Sequence, residues 1–227
     1  MQREIQVAPW MQEFLQKLQA RFSDRLLIVG LQGSYGRGEA GPDSDIDLVV
    51  VLERMHFADL QACRSVLSTM PHFEKTCGFF GGRQELMHWP RCDLLQLYYD
   101  TQLVFGDWGA WFAPFSQEEI EQAVLTGAAN LYHLAQHTYL HAADRPAALR
   151  MLYKQAFFLL RTVFFARSKR FVRAKRALLP YLEGQEKQLL RLGMGQWPID
   201  SDSDPKADVY FQLLWDWLSG LMKGGRA

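Results

Sequence analysis

The chain has few cysteines and no net charge, and each feature argues against particular classes of protein. Three of its 227 residues are cysteines, Cys63, Cys77 and Cys92, and no two of them are close in the sequence. An odd, scattered set argues against a disulfide framework or a cysteine-rich zinc site, so we expect reduced, partly buried thiols. Lys and Arg together number 25, as do Asp and Glu. This balance argues against a dedicated nucleic-acid-binding protein, which usually has a basic excess.

Long apolar segments are also missing. No stretch reaches the roughly 18 apolar residues that a transmembrane helix needs. The N-terminus contains Arg3 and Glu4 and lacks the apolar core of a secretory signal peptide. We therefore expect a cytoplasmic protein. The composition is nevertheless 48% hydrophobic and 13% aromatic, which is enough to build the core of one or two domains.

The first half of the sequence mixes helical and strand periodicities. Apolar residues recur at three- and four-residue spacing in two segments, which predicts helices over 8–22 and 57–70, and a shorter helix is predicted over 84–89. Other apolar runs predict strands over 26–32, 46–52, 73–80, 94–99 and 102–105. The segment 33–44 is rich in glycine and ends near Pro42, so we expect a loop there.

After Pro114 the sequence indicates helices alone. Ser116 and Glu119 form a capping box, which predicts a helix from there to about residue 142. Further helices are predicted over 146–165, over 174–192 with a kink or division at Pro180, and from Asp204 onward. We therefore predict an α+β protein in which a small mixed-sheet domain, 1–112, precedes an all-helical bundle domain, 113–227.

A glycine-serine turn and a pair of aspartates are the residues that indicate a reaction type. Gly33-Ser34 follows the apolar run 26–31, and after ten residues Asp45-Ile46-Asp47 begins the next apolar run, 48–52. Residues two apart on a strand point to the same face, so Asp45 and Asp47 project side by side. Such a pair attracts a divalent cation, and Mg²⁺ prefers oxygen ligands. A glycine-serine turn lets the backbone approach a phosphate closely. Together these features are typical of nucleotidyl transfer.

The same residues resemble the active-site motif of the DNA polymerase β-like nucleotidyltransferase superfamily. The resemblance is to its small bacterial members, such as the aminoglycoside nucleotidyltransferases. The motif covers residues 26–52, and a looser likeness extends through 104–108 into the helical half. The resemblance implies that Asp45 and Asp47 bind Mg²⁺ and that Gly33 and Ser34 hold the terminal phosphates of ATP or another nucleoside triphosphate. Arg37, in the same loop, can neutralise phosphate charge.

The resemblance also implies a third carboxylate on a neighbouring strand. It serves as a metal ligand or as the general base for the attacking hydroxyl. The sequence offers Glu74, Asp93 and Asp100. We favour Glu74, because it begins the strand predicted over 73–80. Asp93 and Asp100 remain open as alternatives.

The expected reaction is transfer of a nucleoside monophosphate to an acceptor hydroxyl with release of pyrophosphate. The resemblance favours AMP, taken from ATP. The acceptor is expected to be a small polyol or an aminoglycoside-like molecule, bound with the help of the helical domain. Two alternatives stay open. One is a non-catalytic relative that binds nucleotide, and the other is a toxin–antitoxin-type nucleotidyltransferase that modifies a protein or an RNA.

Overall fold

Two compact units make up the chain in a computed structural model, Met1–Pro114 and Phe115–Ala227. The structure describes residues 5–111, 114–197 and 204–224. The domain boundary predicted between residues 112 and 113 lies outside the described residues.

The first unit alternates helices with the strands of one sheet. Its helices are α1 (Val7–Phe22), α2 (Gly33–Gly36), α3 (Phe57–Leu67), α4 (Arg83–His88) and α5 (Arg91–Asp100). Its strands are β1 (Leu26–Leu31), β2 (Ile46–Leu52), β3 (Thr76–Gly82) and β4 (Gln102–Phe105). These strands lie in the order β3-β2-β1-β4. The β2–β3 pair is parallel, whereas β1 is antiparallel to both β2 and β4.

Strand β2 is the most deeply buried strand of this sheet. Every one of its residues is buried except Asp47, which is half-buried. Alternate residues of β2 join the main apolar cluster, together with Phe14 and Leu18 of α1. Because side chains alternate along a strand, Asp47 lies on the opposite face from that cluster. The strand therefore carries one half-buried carboxylate on the face opposite the apolar cluster.

The segment 94–99, predicted as a strand, lies in helix α5 instead. Pro90 precedes the helix, and Asp93 lies in its first turn, where a carboxylate interacts well with the helix dipole. Leu94 and Leu95 are both buried. A short apolar run fits a buried helix as well as a buried strand, and here the flanking proline and acid favour the helix.

Strand β3 begins three residues later than the predicted 73–80. Residues Phe73–Lys75 form a single 3-10 turn, which follows His72 at φ 60°. The Thr76 hydroxyl donates a hydrogen bond of 2.7 Å to the carbonyl of Phe73, which closes that turn. Glu74 therefore lies in the turn before the strand, and its prediction as a strand residue is wrong.

The second unit is helical throughout its described residues. Its helices are α6 (Gln117–His141), α7 (Arg145–Ser168), α8 (Lys175–Leu178), α9 (Gly184–Gly193) and α10 (Asp204–Met222). The predicted capping box is confirmed, because Ser116 Oγ accepts from the Glu119 N–H at 3.1 Å and Glu119 Oε2 accepts from the Ser116 N–H at 2.8 Å. The predicted division at Pro180 is also confirmed, since a 3-10 turn over Leu179–Tyr181 separates α8 from α9.

The predicted fold class is confirmed, since a small mixed sheet precedes a large helical region. The three cysteines are free, and of the expected partial burial only Cys92 is an example, since Cys63 is buried and Cys77 exposed. Among the helices that the structure describes, none is both long and apolar enough to cross a membrane.

Candidate active site

The start of β2 brings the predicted motif together. Asp45 is exposed and comes just before the strand, whereas Asp47 is its second residue. The Gln32 N–H donates a hydrogen bond of 2.7 Å to the Asp47 carbonyl, which ties the end of β1 to β2 at this point. Because Gly33 follows Gln32 directly, the loop after β1 begins beside the Asp47 side chain.

Gly33 and Asp47 lie in direct contact. Gly33 has φ 61°, a left-handed conformation that favours glycine, and it begins the single helical turn α2. A Cβ atom at this position would overlap Oδ2 of Asp47. Ser34 follows in the same turn and is half-buried. The predicted glycine turn and one carboxylate of the predicted pair are therefore adjacent in space.

Arg37 is largely buried and paired with two carboxylates. Its guanidinium lies 3.3 Å from Glu39 and 3.3 Å from Asp100, and its side chain is only 7% exposed. These pairs anchor the loop after β1 to the end of α5. The contact of Arg37 with a phosphate stays a prediction, and the structure gives this residue a role in holding the loop.

The three candidates for the third carboxylate lie in different surroundings. Glu74 is 73% exposed in the turn before β3, and the His72 ring lies 3.9 Å from its carboxylate. Asp93 is exposed in the first turn of α5, whereas Asp100 is buried and pairs with Arg37. Within the described residues, no three Asp, Glu, His or Cys side chains converge in a way that can hold a metal ion. None of the candidates therefore completes a three-ligand cluster with Asp45 and Asp47.

A residue that sequence reasoning missed lies beside Asp47. Cys77 of β3 pairs with Asp47 in the parallel register, and its thiol donates a hydrogen bond of 3.2 Å to Asp47 Oδ1. Burial, this bond and the negative charges of Asp47 and Asp45 raise the pKa of the Cys77 thiol to about 12. The sequence predicts only that the cysteines are reduced and partly buried, and the register of β3 against β2 reveals the contact.

The oxygen atoms at this site suit a hard divalent cation. Mg²⁺ binds through one or two protein carboxylates and completes its octahedral shell with water and substrate phosphates. Asp45 and Asp47 supply two carboxylates at the head of one strand, and one of them is exposed. The Gly33 backbone lies directly against the Asp47 carboxylate, since no side chain stands between them.

Comparisons with known proteins indicate the class of domain and the fold. Residues 11–108 match the family model described as nucleotidyltransferase domain, so the resemblance found in the sequence is confirmed. A solved structure of spectinomycin adenyltransferase AAD(9) from Enterococcus faecialis, with ATP and spectinomycin, superposes with a TM-score of 0.57. The alignment covers 93% of this chain and 98% of that one at 12% identity, so the likeness shows a common fold.

One curated relative also matches. It is named "Putative protein adenylyltransferase", from Methanocaldococcus jannaschii, and it is 46% identical over 43 residues. The match spans 19% of this chain and 29% of the relative.

Proposed function

We propose that this protein transfers a nucleoside monophosphate, AMP from ATP, to an acceptor hydroxyl in a Mg²⁺-dependent reaction that releases pyrophosphate. The observation that carries the proposal is the contact between Gly33 and Asp47. It joins a turn that begins with a glycine, suited to phosphates, to a carboxylate suited to a cation. The match of residues 11–108 to a nucleotidyltransferase domain supports the same reaction class.

In this proposal each residue of the motif has a defined role. Asp45 and Asp47 hold Mg²⁺, which would neutralise the phosphate charge and align the acceptor with the α-phosphorus. The Gly33-Ser34 turn binds the β- and γ-phosphates that leave as pyrophosphate. A bond forms between the acceptor oxygen and the α-phosphorus, and the bond from that phosphorus to the bridging oxygen of the β-phosphate breaks. The acceptor hydroxyl loses its proton to solvent in the same step.

The acceptor is proposed from the relatives. The neighbour AAD(9) was solved with spectinomycin, which favours a small polyol or aminoglycoside-like acceptor here. The curated relative is named for protein adenylylation, which favours a protein acceptor as the second candidate. The helical unit is proposed to bind the acceptor in either case. The cytoplasmic location stays a prediction.

Transfer of label from [α-³²P]ATP tests this function. The purified chain is incubated with Mg²⁺ and, in separate reactions, with spectinomycin, other aminoglycosides, a cell protein extract and RNA. We expect a labelled product with one acceptor class, with no label after addition of EDTA or in Asp47→Asn. Asp43→Asn, an exposed acid in the same loop, is the matched control and should retain labelling.

Two outcomes would contradict the proposal. ATP binding without labelling of any acceptor would favour the non-catalytic relative. Labelling that persists in Asp47→Asn would place the metal-binding chemistry elsewhere in the chain. Labelling of protein alone or of RNA alone would support the proposed reaction. It would show that the acceptor is a protein or an RNA and not a small molecule.

A further inference from the structure

Strand β3 is the neighbour of β2 on which the resemblance implies a third carboxylate. Its seven residues, Thr76–Gly82, contain no acid. The parallel register places Cys77 directly beside Asp47. The position adjacent to Asp47 on β3 is therefore occupied by a thiol, which donates a hydrogen bond where a carboxylate would accept one or bind a metal.

The two oxygens of Asp47 face different partners. Oδ1 accepts the hydrogen bond from the Cys77 thiol at 3.2 Å, which is a normal length for a sulfur donor. Oδ2 faces Gly33, at the place where a Cβ atom would be. Cys77 and Gly33 thus confine the carboxylate from two sides, and Oδ2 is the oxygen turned toward the proposed phosphate turn.

The backbone after Cys77 fixes this arrangement. Gly78 has φ 138°, and a Cβ atom there would overlap the backbone of Leu48 on β2. Strand β3 therefore lies close against β2 one residue after Cys77. A shift of β3 by one residue would turn Cys77 to the other face of the sheet, so the close approach at Gly78 keeps the thiol aimed at Asp47.

We propose that Cys77 is a positioning residue, whose thiol holds Asp47 Oδ1 so that Oδ2 is presented to the bound cation. The inference rests on the proposed function, in which Asp47 is a metal ligand. Partners that hydrogen-bond a ligating carboxylate set its orientation, and their loss typically weakens metal binding by about 10- to 100-fold.

Binding of Mn²⁺ tests this role without requiring turnover. Mn²⁺ is titrated into the chain in the presence of saturating α,β-methylene-ATP, and the free ion is followed by electron paramagnetic resonance. Cys77→Ala removes the donor, whereas Cys77→Ser keeps a donor of similar size. Cys92→Ala, which removes a thiol from α5, is the matched control. The thermal unfolding midpoint is recorded for each variant to report on folding.

We expect Cys77→Ala to weaken Mn²⁺ binding by about tenfold or more, and Cys77→Ser and Cys92→Ala to bind almost as the unchanged chain does. If Cys77→Ala does not fold, Cys77→Val is measured in its place, because valine fills the thiol's volume without a donor. Unchanged binding without the donor would overturn the inference, as would equal losses in the alanine and serine variants.

Asp47→Asn separates this inference from the function on which it rests. If Asp47→Asn loses Mn²⁺ and Cys77→Ala does not, the positioning role alone is wrong. If Asp47→Asn binds Mn²⁺ as well as the unchanged chain, Asp47 is not a metal ligand, and the proposed function fails together with the inference.

Discussion

The backbone of Gly33 lies against Oδ2 of Asp47, so closely that a Cβ atom would overlap it. The two residues are too far apart in the sequence to belong to one turn. The hydrogen bond from the Gln32 N–H to the Asp47 carbonyl, at the end of β1, brings them together. A side chain at residue 33 would therefore push directly on the carboxylate proposed to bind the cation.

Gly33→Ala should impair both stability and ligand binding. The left-handed φ of 61° costs alanine about 1–2 kcal/mol, and the overlap with Asp47 adds to that cost. Gly38→Ala is the matched control, since Gly38 also has a left-handed φ of 69° but has open space where its Cβ would be. Urea unfolding should show losses in both variants, and only Gly33→Ala should weaken calorimetric binding of Mg²⁺ and α,β-methylene-ATP. Equal binding by the two variants would contradict the proposed role of the contact.

Glu74→Gln should change turnover by no more than a few-fold. Glu74 is 73% exposed and lies in the turn before β3, so the structural reason for choosing it as general base is gone. A lost general base usually lowers turnover by about 10²–10⁴-fold. Single-turnover labelling with [α-³²P]ATP measures the effect, with Asp93→Asn as a parallel exposed variant. A fall of that size in Glu74→Gln would restore it as the base.

Asp59→Asn should destabilise the first unit in a pH-dependent way. Asp59 accepts hydrogen bonds from Arg25 at 2.6 and 3.1 Å and from the His56 N–H at 3.0 Å. The bonds from Arg25 lower the pKa of Asp59 below its usual 3.8. The stabilisation is therefore full above that usual value and is lost as the pH falls through the lower pKa of the folded state. Because Arg25 is 41% exposed, we expect a loss of only about 1 kcal/mol at pH 7.

Urea unfolding at pH 7 and at pH 3 measures this dependence. The difference in unfolding free energy between the unchanged chain and Asp59→Asn should shrink at the lower pH. Asp24→Asn removes an exposed acid next to Arg25 and should have little effect at either pH. A difference that stays constant with pH would show that the charge of Asp59 is not what stabilises the fold.

Cys77 should react slowly with iodoacetamide at pH 8, although the residue is exposed. Its pKa is about 12, raised by partial burial of the thiol and by its bond to Asp47, so little thiolate is present. Asp47→Asn removes the charge and should speed alkylation, by about tenfold for each unit by which the pKa falls. Mass spectrometry of the peptide that contains Cys77 gives the rates. Equal rates in the two proteins would show that the thiol and the carboxylate do not interact.

The sequence predicts secondary structure correctly where a whole segment is buried. Strand β2 was predicted with the observed bounds, because an unbroken apolar run with one acid near its start fits a central strand. The glycine turn beside Asp47 was also predicted from the motif. Segment 94–99 was misassigned because its few apolar residues fit either a helix or a strand, and the choice depends on where Leu94 and Leu95 are buried.

The partner of Asp47 depends on strand register, which the sequence leaves open. The strand predicted over 73–80 contains Glu74, whereas the observed strand begins at Thr76 and pairs Cys77 with Asp47. A single residue of register reverses the faces of a strand, so the contact becomes visible only once Asp47 is paired with Cys77. The pairing of buried Arg37 with Asp100 is similarly a long-range contact, which the loop position of Arg37 does not predict.

Calorimetric titration with α,β-methylene-ATP measures the proposed cation and phosphate site without an acceptor. The unchanged chain, Asp47→Asn and Asp43→Asn are each titrated with Mg²⁺ and again with EDTA. We expect binding that depends on Mg²⁺ in the unchanged chain and in Asp43→Asn, and a loss of about tenfold or more in Asp47→Asn. Equal affinity with and without Mg²⁺, or equal affinity in Asp47→Asn, would contradict this expectation.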